Sequence, residues 1–186
     1  MKKRHYQGFT LIELLLTIAI LIIALGIGLP SFGKLIEDSH RKDTLHQLLT
    51  AISYARTEAI TRSANITLCP LDTNGKCSTD WNKPITIFVD PSRSRHLTSS
   101  EAILRVLPSP SQGYLYGRTG IRKHFGFRST GMARESIGHL LWCPPDGDPR
   151  QAFQIRINMG GRPILARDSD HDGIVEDAYG RNIKCP

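Results

Sequence analysis

GFTLIELLLTIAILIIALGIGLP, residues 8–30, decides how the rest of the chain is to be read. From Phe9 to Leu29 it runs 21 residues with a single charge, Glu13. About 20 apolar residues in a helix suffice to cross a hydrocarbon core of roughly 30 Å. Lys2, Lys3 and Arg4 stand just before it, and basic residues stay on the cytoplasmic side. The pattern therefore predicts a single pass, with the N-terminus inside and everything beyond Pro30 exported. A secretory signal is the competing reading, with Ala24-Leu25-Gly26 as its small-residue cleavage site. That reading leaves Glu13 unexplained. A charge deep in a bilayer costs roughly 2.5 kcal/mol or more, and acids so placed are usually functional.

The 186 residues, 40% hydrophobic and 22% charged, have room for one domain with a real core plus appendages. Setting the three cations of residues 1–8 aside, the net charge of +7 falls to +4, which permits contact with a polyanion without requiring it. Cys69, Cys77, Cys143 and Cys185 all lie beyond the apolar run, and an even count in an exported domain reads as two disulfides with three pairings open. Joining Cys69 to Cys77 would close a turn through Asn74-Gly75. Joining Cys143 to Cys185 would pin the C-terminal segment to the body. Chain entropy assigns these loops about 2.6 and about 4 kcal/mol. Zinc is the lesser alternative, because there is no C-x-x-C spacing.

Beyond Pro30, Leu35, Leu45, Leu48, Leu49, Ile52, Ala55, Ala59 and Ile60 recur mostly at steps of three and four, the stripe of a helix packed on one side. The helix is expected to run to about Arg62 and to bend at Pro30, where a backbone hydrogen bond is lost. Short strands follow. Ile66–Cys69 and Ile85–Val89 are the clearest, with Ala102–Val106, Lys123–Phe127, Leu140–Cys143, Phe153–Ile157 and Pro163–Ala166 as further candidates. Residues 92–100 and 108–113 read as loops. The divisions are residues 1–8, 9–29, 30–62 and 63–186, and the fold class is α+β.

A basic leader, then Gly8-Phe9-Thr10-Leu11-Ile12-Glu13, then an apolar run ending at Pro30, resembles a type IV prepilin. Ala55-Arg-Thr-Glu-Ala-Ile60, Ile66-Thr-Leu-Cys69, Trp81, Ile87-Phe-Val-Asp90, Phe127-x-x-x-Gly131 and Gly161-Arg162 extend the likeness to the FimT/FimU/GspH family of minor pilins and pseudopilins. The resemblance implies a long N-terminal helix packed on an antiparallel sheet domain. It also implies that a prepilin peptidase cuts after Gly8 and methylates the amine of Phe9. The anchored precursor would sit in the inner membrane with its globular domain in the periplasm, and join other pilins or pseudopilins in a filament. There Glu13 would pair with a neighbour's N-terminal amine, because an unpaired ion among apolar side chains is penalised. A type IV pilus is favoured over a type II secretion apparatus, on the Gly-Arg element and the basic-aromatic stretch.

Two further chemistries are candidates. Asp168-Ser-Asp170-His-Asp172-Gly173 follows the first half of a calcium loop, with the Ile174 carbonyl and Glu176 as further ligands. The twelfth position is Tyr179, where a bidentate Glu is expected. Arg118, Arg122, Lys123 and Arg128 interleave with aromatic residues, and Arg162 and Arg167 follow, a composition suited to DNA phosphates and base stacking. The resemblance points the same way, since some FimT-like proteins bind DNA through Gly-Arg-x-Arg, but Ile164 stands where the second arginine is expected. Catalysis is not expected. Ser136, His139 and Asp146 come with no nucleophile elbow, metal helix or phosphate loop.

Overall fold

A computed structural model describes residues 10–120, 122–133 and 137–186, with the side chains of residues 27–31 and 34 outside that description. Helix α1 spans Leu11–Thr61. The Gly8 and Phe9 of the expected processing site, and the side chain of Pro30, lie outside the described residues. Thr10 and Glu13 start the helix as a reciprocal cap. The Glu13 amide donates to Thr10 Oγ1 (3.3 Å), and Glu13 Oε2 accepts from the Thr10 amide (3.0 Å), so two otherwise orphaned donors are satisfied. The far end closes with Ala64 N–H on the Ala59 carbonyl and Ser63 N–H on that of Ile60. Ser63 sits in the left-handed region there, at φ 50°.

The chain divides after Ser39 into two compact units. In the first, every described side chain from Thr10 to Gly26 is exposed, Leu11 at 78% and Ile23 at 63% among them. Among the described residues no helix is long and apolar enough to cross a membrane. The described side chains of the apolar run end at Gly26, short of the roughly 20 residues that a span needs.

The second unit, His40–Pro186, joins the last part of α1 to two antiparallel four-stranded sheets. The strands are β1 Ile66–Pro70, β2 Ile85–Val89, β3 Ile103–Leu107, β4 Tyr114–Arg118, β5 Phe125–Phe127, β6 Gly138–Cys143, β7 Phe153–Ile157 and β8 Pro163–Leu165. Their orders are β3-β2-β1-β5 and β4-β6-β7-β8. Leu48, Ala51, Ile52, Ala55 and Ala59 form the buried stripe of the helix. They share one core with Ile66, Leu68, Ile87 and Phe125 of the first sheet and Leu115, Leu140, Phe153 and Ile155 of the second. Each large apolar side chain so buried contributes roughly 1.5–3 kcal/mol. Trp81 fills the joint between the sheets, 5.5 Å from the Phe125 ring centroid and over Gly117, where an added Cβ would come within 2.1 Å of its indole.

The expected stripe shifts in three places. Leu35 lies outside the packed unit and is 63% exposed, and Ile60 is 44% exposed, while Ala51, absent from the stripe read in the sequence, is fully buried. The strand expected from Ala102 starts at Ile103, because Ser99 caps a 3₁₀ turn over Ser100–Ala102. Strand β4 was not expected at all.

Candidate functional site

Three surfaces gather the residues singled out in the sequence. The first is the start of α1. There Glu13 also accepts from Thr10 Oγ1 at 3.0 Å, so its carboxylate is held at the helix start by its own chain. It stands in a collar of exposed Leu and Ile side chains.

The second is the acidic loop after β8. Asp168, Asp170 and Glu176 bring carboxylate oxygens within 4.8 Å of one another. Backbone amides already organise them. Glu176, 7% exposed, accepts from the Ser169 and Asp170 amides, while Asp168 accepts from His171 and Gly173. Asp172 stands outside the trio, accepting from the Ile174 amide and from Asn182. Three oxygen donors at this separation fit a hard cation of calcium's type, which would need further oxygens to complete its usual six to eight.

The third is basic. Lys76, Arg95, Arg122, Lys123 and His124 line an open cleft of about 420 Å³, and His124 also borders a smaller cleft shared with Arg93 and Arg128. Asp90 builds this corner. Buried at 2% exposure, it accepts from Thr67 Oγ1, the Ser94 amide and the Arg95 amide at 2.8–3.0 Å. That holds Arg93 and Arg95 at φ 55° and 59°, conformations that a non-glycine residue adopts only when its surroundings insist. Lys76, Arg93 and Arg95 were not singled out in the sequence; nothing local marks them, since 27 residues of chain separate Arg95 from Lys123. Arg118 is elsewhere, on the outer face of the second sheet, and Arg162 occupies the β7–β8 turn, its amide on Asn158 Oδ1 at 3.0 Å. Arg167 is tied into the acidic loop, its carbonyl accepting from the Glu176 amide. The six cations expected on one DNA surface are thus dispersed, and only Arg122, Lys123 and Arg128 come together.

The disulfides are Cys69–Cys77 and Cys143–Cys185. The first closes the loop in which Asp72 Oδ1 accepts from the Asn74 and Lys76 amides. The second ties the C-terminal segment over the outer face of the second sheet, where Ile183 packs with Leu141, Cys143 and Ala152.

Several residues of the sequence resemblance meet at one point. Arg56 Nε donates to the Gly160 carbonyl at 3.1 Å. Beside it Gly161, at φ +71°, lies so near Gly131 that an added Cβ would stand 2.2 Å from the Gly131 carbonyl oxygen. Arg56, Gly131 and Gly161 therefore fasten helix, β5 loop and β7–β8 turn together, which gives the Gly-Arg element a packing role in this chain.

Comparison with known proteins gives the same architecture. The family model described as type II transport protein GspH matches residues 44–161, and the prokaryotic N-terminal methylation motif matches residues 3–29. No curated protein matches the chain. Two crystal structures of the type IV minor pilin FimU from Pseudomonas aeruginosa are similar in fold. In space group P21 the TM-score is 0.51 at 20% identity, covering 68% of this chain and 87% of that one. In P65 it is 0.51 at 19% identity, covering 68% and 92%. With the GspH model matching more than half of this chain and a pilin fold beneath it, the chain belongs to the GspH family and is a minor pilin or pseudopilin.

Proposed function

We propose that this chain is a non-catalytic minor subunit of a type IV pilus, of the FimT/FimU kind, anchored in the inner membrane until it enters the filament or its tip. The observation that carries the reading is the contrast along α1. Its described side chains from Leu11 to Leu25 are exposed and overwhelmingly apolar, while the stripe of Leu48, Ala51, Ile52, Ala55 and Ala59 is packed under two sheets. Such a surface requires lipid or other helices around it. In this reading a prepilin peptidase cuts after Gly8, and the freed amine of a neighbour's Phe9 takes Glu13 from its cap on Thr10. The likeness to FimU supports the pilus, whereas the GspH family model supports a type II secretion apparatus as the alternative. In the native cell, cross-linking a tagged chain and identifying its filament partners decides between them. A Glu13→Ala subunit should insert in the membrane normally yet be depleted from sheared filaments by ten-fold or more; normal incorporation overturns the role of Glu13.

Calcium is favoured at the acidic loop by the convergence of Asp168, Asp170 and Glu176. The cation would offset their mutual repulsion and fix the loop beneath the Cys143–Cys185 tie. Millimolar calcium should raise the melting temperature by several degrees, and Asp170→Ala should remove the gain; no shift in the unaltered chain ends the idea. For DNA, the supporting surface is the corner of Lys76, Arg93, Arg95, Arg122, Lys123 and Arg128. Binding of a short duplex there should weaken steeply with salt and with Lys123→Gln, and absence of binding at low salt removes DNA from the partners.

A further inference from the structure

The outer face of the second sheet holds a cleft that none of these readings uses. Residues opposite each other on antiparallel strands share a face. The register sets Arg118 of β4 against His139 of β6, and His139 against Arg156 of β7. Two arginines therefore flank a histidine in a row across three strands, and like charges so placed are disfavoured whenever the histidine is protonated unless something offsets them. Among the described residues no carboxylate pairs with Arg118 or Arg156, and Arg156 Nε is buried without a partner. Arg118, His139, Leu141 and Gln154 help to line an open cleft of about 600 Å³, together with Asn182 and Lys184 of the C-terminal segment. Gln154 is 3% exposed, and its Oε1 is buried with no hydrogen-bond partner.

We propose that this cleft binds a hydroxylated oxyanion, an acidic sugar or sugar phosphate, with Arg118 and Lys184 around the anionic group, Arg156 adding its charge from beside His139, and the Gln154 carboxamide taking a hydroxyl. The cations call for an oxyanion. Asp177 does not satisfy them, because it is engaged by Arg181, whose Nη2 and Nε lie 2.9 and 3.2 Å from Asp177 Oδ2. An orphaned carbonyl oxygen calls for a donor instead, which a carboxylate lacks and which phosphate offers only as a P–OH on its charged centre, whereas a sugar hydroxyl stands apart from the anionic group. The terminal torsion of glutamine is broad, so the carboxamide turns toward an entering hydroxyl at small cost. A cleft of this size falls in the range of roughly 300–1,000 Å³ occupied by small organic ligands and is far larger than one ion requires. The acids of the adjoining 168–177 loop, joined to the cleft through Asn182 and Asp172, oppose a long polyanion there.

His139 reports occupancy. Burial first, then the charges of Arg118 and Arg156, hold its pKa below the ordinary histidine value, against the pull of Asp177. The charged groups around it are Arg118 from β4, Arg156 from β7, and Asp177, Arg181 and Lys184 from the C-terminal segment. An anion placed among them offsets the cations, so binding takes up a proton and strengthens as pH falls.

The test is histidine-resolved NMR of the full chain in neutral detergent, titrated with glucuronate, glucose 1-phosphate, inorganic phosphate and glucose. Either acidic sugar should bind at least ten-fold tighter than phosphate or glucose and raise the apparent pKa of His139; which of the two is tighter tells carboxylate from phosphate. Arg118→Gln, at an exposed position, should weaken the acidic sugar about ten-fold, and Gln154→Leu should erase its advantage over phosphate. Equal affinity for phosphate and the acidic sugars overturns the proposal. So does an unmoved His139 resonance, or binding of a short DNA duplex at His139 where the sugars fail.

Discussion

His139 couples the fold to pH. Its folded pKa lies below the ordinary value of 6.5, from burial first and then from Arg118 and Arg156. The unfolded chain therefore binds the proton more readily than the folded one, and stability must fall as pH drops through 6.5 toward the folded pKa. Urea unfolding between pH 7.5 and 5.5 should show this decline, and His139→Gln should flatten it; an unchanged slope assigns the decline to other groups. Not all residues of this kind are visible in a sequence. Glu13 is, because a lone acid in a greasy run contradicts its surroundings. Gln154 and Arg156 are not, since their significance depends on a cross-strand register that no local pattern encodes. Asp90 falls between: its place after a β-branched strand is legible, its grip on the Ser94 and Arg95 amides is not.

Among the elements, α1 ends on a residue poorly suited to its task. Ser63 occupies the left-handed position of the terminating turn at φ 50°, where a side chain costs roughly 1–2 kcal/mol and glycine costs little. Ser63→Gly should therefore stabilise the globular unit by about 1 kcal/mol, raising the urea midpoint without changing the slope; a loss of stability would mean that the hydroxyl makes a contact worth more than the strain. The helix was legible from its stripe, and β1, β2 and β7 from their β-branched and aromatic content. Strand β4 was not. Tyr114-Leu-Tyr-Gly-Arg118 carries a glycine that reads as a breaker, whereas the structure places Gly117 there because the Trp81 indole occupies the space of a side chain. The division of the strands between two sheets was also hidden, because partner choice is settled by packing over a shared helix rather than by any one strand.

For the molecule as a whole, the boundary after Ser39 separates a surface that needs company from a body that supplies its own. Residues 40–186 expressed without the stem should be monomeric and unfold in one cooperative step, since α1 and both sheets share a single core; separate transitions for the two sheets would contradict this. A filament subunit must also withstand pulling. Arg41 Nε holds the Gln151 carbonyl at 2.7 Å and Arg56 Nε holds that of Gly160 at 3.1 Å, so two guanidinium clasps bracket β7 and set it running alongside the helix in the same direction. They stand about 22 Å apart along the helical axis. Traction on the stem would thus load β7 in shear along its length, with both clasps and the apolar seam between them yielding together rather than peeling open one after another.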